Sequence, residues 1–268
     1  EPDWVIGTSI GAINSALIAG NKPAQRLDRL REFWRRVSYG PLAEAMRYVP
    51  FTGGMGGFGA TLAQGIPAFF TPNPWAWLGP FATLGAEKAA FYSTDALRRT
   101  LGDLTDLDRL NGGSPRLTVG AASVATGEMR YFDSRSDRLG LDHILASGAL
   151  PPAFPAVRID GELYWDGGIV SNTPVEAVFD DNPRRNGVVF VVHIWNPQGS
   201  EPESIWQAMG RQKDIQYASR STTHIARQKQ IHRLRHVITE LADRLPADAR
   251  LDPEVRALTA YGCVTRLH

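Results

Sequence analysis

The chain opens on an apolar run, Trp4-Val5-Ile6, that enters Gly7-Thr8-Ser9-Ile10-Gly11 and continues into small residues through Ala19. Strand-length apolar residues running into Gly-x-Ser-x-Gly and then into helix formers predict a strand, a sharp turn and a helix, with the serine on the turn. Such a turn crowds its neighbours, so Gly7 and Gly11 are expected where a side chain would collide with strand or helix. The helix N-terminus behind Ser9 presents a positive dipole end. The backbone N–H of Ile10 is the expected donor to a developing oxyanion. A tight structural turn could use the same residues, and the pattern by itself does not separate the two.

A second block lies far downstream. Tyr164-Trp165-Asp166-Gly167-Gly168-Ile169-Val170-Ser171-Asn172-Thr173-Pro174 places an aspartate at the end of a short apolar strand, then two glycines, then a helix start. Standing alone it reads as a turn followed by a cap and an N-terminal proline. Between the two blocks runs Ala146-Ser147-Gly148-Ala149-Leu150-Pro151-Pro152-Ala153-Phe154-Pro155. The three blocks in this order resemble the patatin-like phospholipase family, over a stretch from Pro2 to roughly Asn196.

That resemblance implies a three-layer α/β/α fold with a largely parallel central sheet. It implies a catalytic dyad without histidine, in which Ser9 is the nucleophile and Asp166, in its Asp166-Gly167-Gly168 motif, the general base. The substrate class it implies is a lipid or membrane surface, cleaved at a carboxylic ester by an enzyme of phospholipase A or lysophospholipase type, with no metal or organic cofactor. An aspartate of ordinary acidity is poorly matched to accept a serine proton near neutral pH, so Asp166 is expected to be desolvated. The apolar neighbours Trp165, Ile169 and Val170 are the candidates to do it. The family carries a glycine-rich oxyanion loop before the serine, whereas here only Glu1-Pro2-Asp3 precede the strand. Gly53, Gly54, Gly56 and Gly57 follow the serine and are not that loop. The expectation is therefore one hydrolase domain over residues 1–268, without its N-terminal strand and oxyanion loop, and a weak catalyst as it stands. Gly262 to His268 reads as a strand just beginning.

Composition agrees with this class without selecting it. With 43% hydrophobic residues in 268, the chain can bury the core of one large α/β domain. A formal net charge of +1 speaks against a general nucleic-acid binder. The single cysteine, Cys263, allows no internal disulfide and lacks metal-site spacing. No secretory signal or spanning helix is visible, but with the native N-terminus expected to be missing this says little about the compartment; a cytoplasmic or peripheral membrane position is the expectation. Elsewhere the pattern predicts a helix from Pro23 to Val37 with Leu27, Leu30, Phe33 and Trp34 on one side. It predicts a hairpin of Arg116–Val124 and Glu128–Phe132, and a short helix Leu141–Leu150 stopped by Pro151-Pro152. Val188 to Ile194 reads as a strand buried on both faces, and Glu203 to Leu245 as one long helix or two.

Between Arg47 and Glu87 there is no charged residue, while Phe58, Phe69, Phe70, Trp75, Trp77, Leu78 and Phe81 are all present. Prolines and glycines exclude a continuous spanning helix. Residues 48–86 read either as a loop-rich insertion packed on the domain or as a lid that meets acyl chains through Trp75 and Trp77. Two further readings of the whole chain stay open. One is a lipid-binding or membrane-interaction module without turnover. The other is a conventional Ser-His-Asp hydrolase, for which His193 or His224 has the required order.

Overall fold

The computed structural model describes residues 1–38, 64–79, 81–181 and 187–259. They cluster into two units, Glu1–Asn172 and Thr173–His268. The first unit runs β1 (Trp4–Thr8), α1 (Ile10–Ala19), α2 (Arg26–Val37), β2 (Thr71–Pro72), β3 (Tyr92–Ser93), α3 (Asp95–Leu104), α4 (Leu107–Leu110), β4 (Arg116–Ser123), β5 (Met129–Asp133), α5 (Leu141–Ser147), β6 (Val157–Ile159) and β7 (Glu162–Asp166). The class is α/β, as the sequence indicates.

β4 organises the sheet. Its run Leu117-Thr118-Val119-Gly120-Ala121-Ala122-Ser123 is buried throughout, as expected of a central strand covered on both faces. β5 pairs antiparallel along one edge, Thr118 opposite Asp133 to Ala122 opposite Met129. Two strands share the other edge. β1 runs parallel to β4 and stops at Thr8 opposite Gly120. β7 comes from the opposite direction and stops at Asp166 opposite Ala121. The ends of β1 and β7 therefore meet at adjacent positions on β4, and the residues that follow or close them, Ser9 and Asp166, are delivered to one spot. β7 owes its direction to the β6–β7 hairpin, whose turn residues Asp160 (φ 49) and Gly161 (φ 89) are both left-handed, as a two-residue type I′ turn requires.

One helical layer covers the face of the sheet that bears Leu117, Val119, Ala121, Phe132 and Tyr164. α1 packs on β1 and β4, α5 on β4, β6 and β7, and α3 lies against both helices. α1 can approach closely because Ala12, Ala16 and Ala19 stand among Ile13 and Leu17, all within the core. In α3, Leu97, Leu101 and Leu104 recur at helical spacing and are buried. On the opposite face Arg116 ties the strands together. Its guanidinium contacts the Asp133 carboxylate at 2.6 Å and lies 3.8 Å over the Trp4 ring, whose indole N–H donates to Thr118 Oγ1 at 2.8 Å.

Three expectations change. In α2 the buried face is Phe33 and Val37, with Leu30 packed against it, while Leu27 and Trp34 are exposed. A straight helix turns Trp34 about 100° away from Phe33, and its indole N–H donates to Asn14 instead. α5 ends at Ser147, before the Leu150 foreseen. Val188–Ile194 is not a strand. All seven residues are exposed, and the elements described in this second unit are helical, α6 (Glu176–Phe179), α7 (Ile205–Ala242) and α8 (Pro253–Thr259), so no strand edge there offers the run a ladder. The 203–245 region is one long helix, α7. No described helix is long and apolar enough to cross a membrane.

Of the uncharged segment, 64–79 and 81–86 are described. They hold the short β2 ladder with β3 and a 3-10 turn, Pro74–Leu78, capped by Asn73, whose side chain accepts from Trp75 N and donates to Lys88 and Ala90 carbonyls. Phe58 and the glycines at 53, 54, 56 and 57 fall outside the described residues, as do Cys263 and the strand expected at 262–268.

Candidate active site

Ser9 sits where β1 ends and α1 begins, with φ 57 and ψ −125. A non-glycine residue in this region costs roughly 1–3 kcal/mol and persists only where its surroundings hold it. Several contacts do. The Ser9 carbonyl accepts from Ala12 N at 3.0 Å, the first bond of α1. The Ser9 N–H donates to Ser147 Oγ at 2.9 Å, and that hydroxyl donates to the Gly120 carbonyl at 2.6 Å. The sharpness of the turn brings Gly7 onto the helix: a Cβ there would stand 2.2 Å from the Gly11 carbonyl carbon. Gly11 does not need to be glycine for the same reason, because a Cβ on it would meet nothing within 4 Å. The close approach is one-sided, Gly7 against the Gly11 backbone.

The Ser9 hydroxyl donates to Asp166 Oδ2 at 2.5 Å. This bond is direct, and no imidazole fits between the two groups. The other carboxylate oxygen accepts from Gly168 N at 2.7 Å, and the Asp166 N–H donates to the Ala149 carbonyl at 3.0 Å. Gly167 allows β7 to come this close, since a Cβ there would lie 2.6 Å from the Gly120 carbonyl oxygen. Gly168 is confined by Asn172 and by Asp166 itself.

Asp166 is only 3% exposed. Burial raises its pKa to about 6 from 3.8, and the hydrogen bonds from Ser9 and Gly168 oppose that rise without cancelling it. A carboxylate at this value is still ionised at neutral pH yet basic enough to draw on a serine proton. Trp165 is not the source of the desolvation, because strand alternation places it on the other face of the sheet. Asp166 shares its cavity with Leu145, Gly148, Leu150 and Phe154.

That cavity has a volume of about 110 Å³ and opens directly on Ser9 and Asp166. Its walls are apolar, formed by Ile10 and Ile13 of α1, Leu97 of α3, Leu145 of α5, and Phe69, Leu150 and Phe154 from loops. Phe154 packs 6.1 Å from Phe69 and 5.5 Å from Phe70. The Pro152 and Ala153 carbonyls accept from Phe91 and Tyr92 N–H, which fixes this aromatic wall to β3.

A serine on a strained strand-to-helix turn, bonded straight to a buried aspartate ahead of two glycines, is one half of the identification. The other half is a match of residues 1–179, two thirds of the chain, to the Patatin-like phospholipase family model. The chain belongs to the patatin-like phospholipase family. A second model, described as Patatin phospholipase, matches residues 215–268. No curated protein matches the chain. The family is one of lipid acyl hydrolases, so this patatin-like chain has an ester hydrolase fold with lipids as its substrate class.

Most residues singled out in the sequence converge on one place. Ser9, Asp166, Gly7, Gly167 and Gly168 lie within the elbow and its partner strand, and Ile10 lines the cavity at the start of α1, where N–H groups have no intrahelical acceptor. Trp75 and Trp77 do not line the cavity. They point outward with Leu78 and Phe81, Trp77 being 90% and Phe81 97% exposed. His143 does not line the cavity, and its Nδ1 accepts from Gly140 N; within the second unit His193 is exposed and His224 lies 3.4 Å from Glu176. Sequence reasoning missed the roles of Ser147, Ala149 and the cavity wall. The only trace of Ser147 in the sequence is a lone hydroxyl at the end of an apolar helix.

Proposed function

We propose that this patatin-like chain hydrolyses the carboxylic ester of an acyl lipid, of phospholipase A or lysophospholipase type, through a Ser9–Asp166 dyad. The observation that carries the reading is the direct 2.5 Å bond from Ser9 Oγ to Asp166 Oδ2 at the mouth of an apolar cavity. The acyl chain lies along Ile13, Leu97 and Phe154, which brings its carbonyl carbon to Ser9. Ser9 Oγ bonds to that carbon as its proton passes to Asp166 Oδ2. The N-terminus of α1, with the Ile10 N–H, faces the oxyanion. On collapse the ester C–O bond breaks and Asp166 returns the proton to the departing alcohol. A water then attacks the acyl-enzyme, gives its proton to Asp166, and Ser9 leaves with it.

The outward aromatics fit the same substrate class. Trp75, Trp77, Leu78 and Phe81 form an uncharged surface on the segment that also supplies Phe69 to the cavity wall. Tryptophan, apolar in body with one N–H, suits the boundary between water and acyl chains. This surface serves as an anchor on aggregated lipid beside the cavity, so that a single acyl chain can leave the bilayer for the slot.

The test is turnover of phospholipid vesicles by the full-length protein and its variants. Ser9→Ala and Asp166→Asn are each expected to lose at least ~10³-fold in kcat, while His193→Ala and His224→Ala stay within a few fold. Loss of turnover in either histidine variant with the fold intact would replace the dyad by a triad.

A further inference from the structure

The Ala146–Phe154 block contains one polar side chain that the chemistry above does not use. Ser147 closes α5 and is fully buried, at 0% exposure. We propose that Ser147 is a positioning residue that sets the direction from which Ser9 meets Asp166 and the ester carbonyl. The proposal rests on Ser9 being the nucleophile.

Thr8 opposite Gly120 is the last pair between β1 and β4. Past it the chain turns away, and the next amide, that of Ser9, has no carbonyl of β4 to meet directly. The Ser147 hydroxyl stands between the two, accepting from Ser9 N at 2.9 Å and donating to the Gly120 carbonyl at 2.6 Å. A full stop in the ladder becomes a bridge of one oxygen atom. The Ser147 side chain itself is closed off from solvent, so this bridge is built by the protein.

Three consequences follow for the nucleophile. Its N–H is held by Ser147 and its carbonyl by Ala12 N, so the backbone on both sides of Ser9 is fixed and the side-chain torsion alone remains free. That torsion is then set by Asp166. The base hangs from the same bracket, since Ala149, two residues beyond Ser147, accepts the Asp166 N–H. Ser147-Gly148-Ala149 thus holds both partners of the 2.5 Å bond. The bond to Ser147 also occupies the Ser9 N–H, which leaves oxyanion binding to the amides that follow it, beginning with Ile10.

The experiment compares Ser147→Ala and Ser147→Cys with the full-length wild-type protein, using a monomeric nitrophenyl ester and a fluorophosphonate that labels an activated serine. Small displacements of catalytic groups cost up to ~10²-fold, so Ser147→Ala is expected to lose roughly 10- to 100-fold in kcat and in labelling rate, with KM within about threefold. Ser147→Cys fills the site with a somewhat larger group that is only a weak acceptor and donor, and is expected to fall in between. Ser134→Ala is the control: its Oγ accepts from Leu117 N at 3.0 Å near the other end of β4, and its loss should lower thermal stability without lowering kcat. Wild-type kcat and labelling in Ser147→Ala overturn the proposal, as does a kcat loss in Ser134→Ala equal to that of Ser147→Ala. Failure of both Ser147 variants to fold also overturns it, by making the hydroxyl a requirement of the core instead of the nucleophile. Ser9→Ala in the same assays separates the two ideas. If it keeps its turnover, the nucleophile assignment itself falls; if it is inactive while Ser147→Ala is not, only the positioning role does.

Discussion

Replacing Asp166 by asparagine separates the charge of the proposed base from its shape. The asparagine carbonyl can still accept from Gly168 N, and its amide can face the Ser9 hydroxyl, so both bonds of the carboxylate have counterparts. What disappears is a buried ionisation. Asp166 has its pKa raised in the folded protein to about 6 from 3.8, mainly by burial. A raised pKa means that the folded state holds the proton more tightly than the unfolded chain. The resulting stability is complete below the unfolded value and is lost as pH rises through about 6. A shift of about two units corresponds to roughly 3 kcal/mol at 1.36 kcal/mol per unit, of which about 2 kcal/mol falls between pH ~4.5 and ~8. The group is almost fully buried, so solvent screening takes little from this figure. Urea unfolding of wild-type protein and Asp166→Asn across that range should show the variant gaining about 2 kcal/mol on the wild type. Shifts at other carboxylates cancel in the difference. In parallel, wild-type turnover should rise with pH along a limb near 6, and the variant should have lost at least ~10³-fold. A stability difference that is flat with pH, or one that turns against the asparagine variant as pH rises, refutes the argument that burial dominates at this carboxylate.

Gly167→Ala would push a Cβ to 2.6 Å from the Gly120 carbonyl oxygen; a loss of about 1–3 kcal/mol in unfolding free energy together with most of the turnover is expected, and wild-type values for both would contradict the packing. Leu97→Phe narrows the cavity wall, so kcat/KM should fall for long acyl esters by about 10-fold and stay nearly constant for short ones in a chain-length series. Replacing Trp75 and Trp77 together with alanine should weaken sedimentation with phospholipid vesicles by about 10-fold, while hydrolysis of a soluble monomeric ester is unchanged. Equal losses on both substrates with a lower melting temperature would return these residues to the core.

Much of the site was legible because its chemistry is local. Gly7, Ser9, Asp166 and Gly167 stand in short motifs whose backbone demands can be read residue by residue. The link between the two motifs was not local: it depends on β1 and β7 ending head to head on one edge of β4, which no periodicity reports. The cavity was invisible for the same reason, since Phe69, Leu97 and Phe154 come from three separate stretches. The apolar run at Val188–Ile194 shows the reverse failure. Its composition is that of a buried strand, but a strand needs an edge to pair with, and composition does not state whether one is offered. Leu27 and Trp34 were misjudged because four apolar residues in eight positions define a wider stripe than the core contacts. Ser147 escaped notice because a serine among alanine and glycine carries no pattern of its own.

Whether Ser9 is the nucleophile of a lipid ester hydrolase is best decided by covalent capture. Full-length protein treated with an alkyl fluorophosphonate is digested and the adduct located by mass spectrometry, beside the ester turnover of Ser9→Ala. One adduct is expected, on Ser9, formed faster as pH rises through about 6 with ionisation of Asp166, together with loss of both adduct and turnover in the alanine variant. An adduct on a different serine, or hydrolysis that persists without the Ser9 hydroxyl, would contradict it.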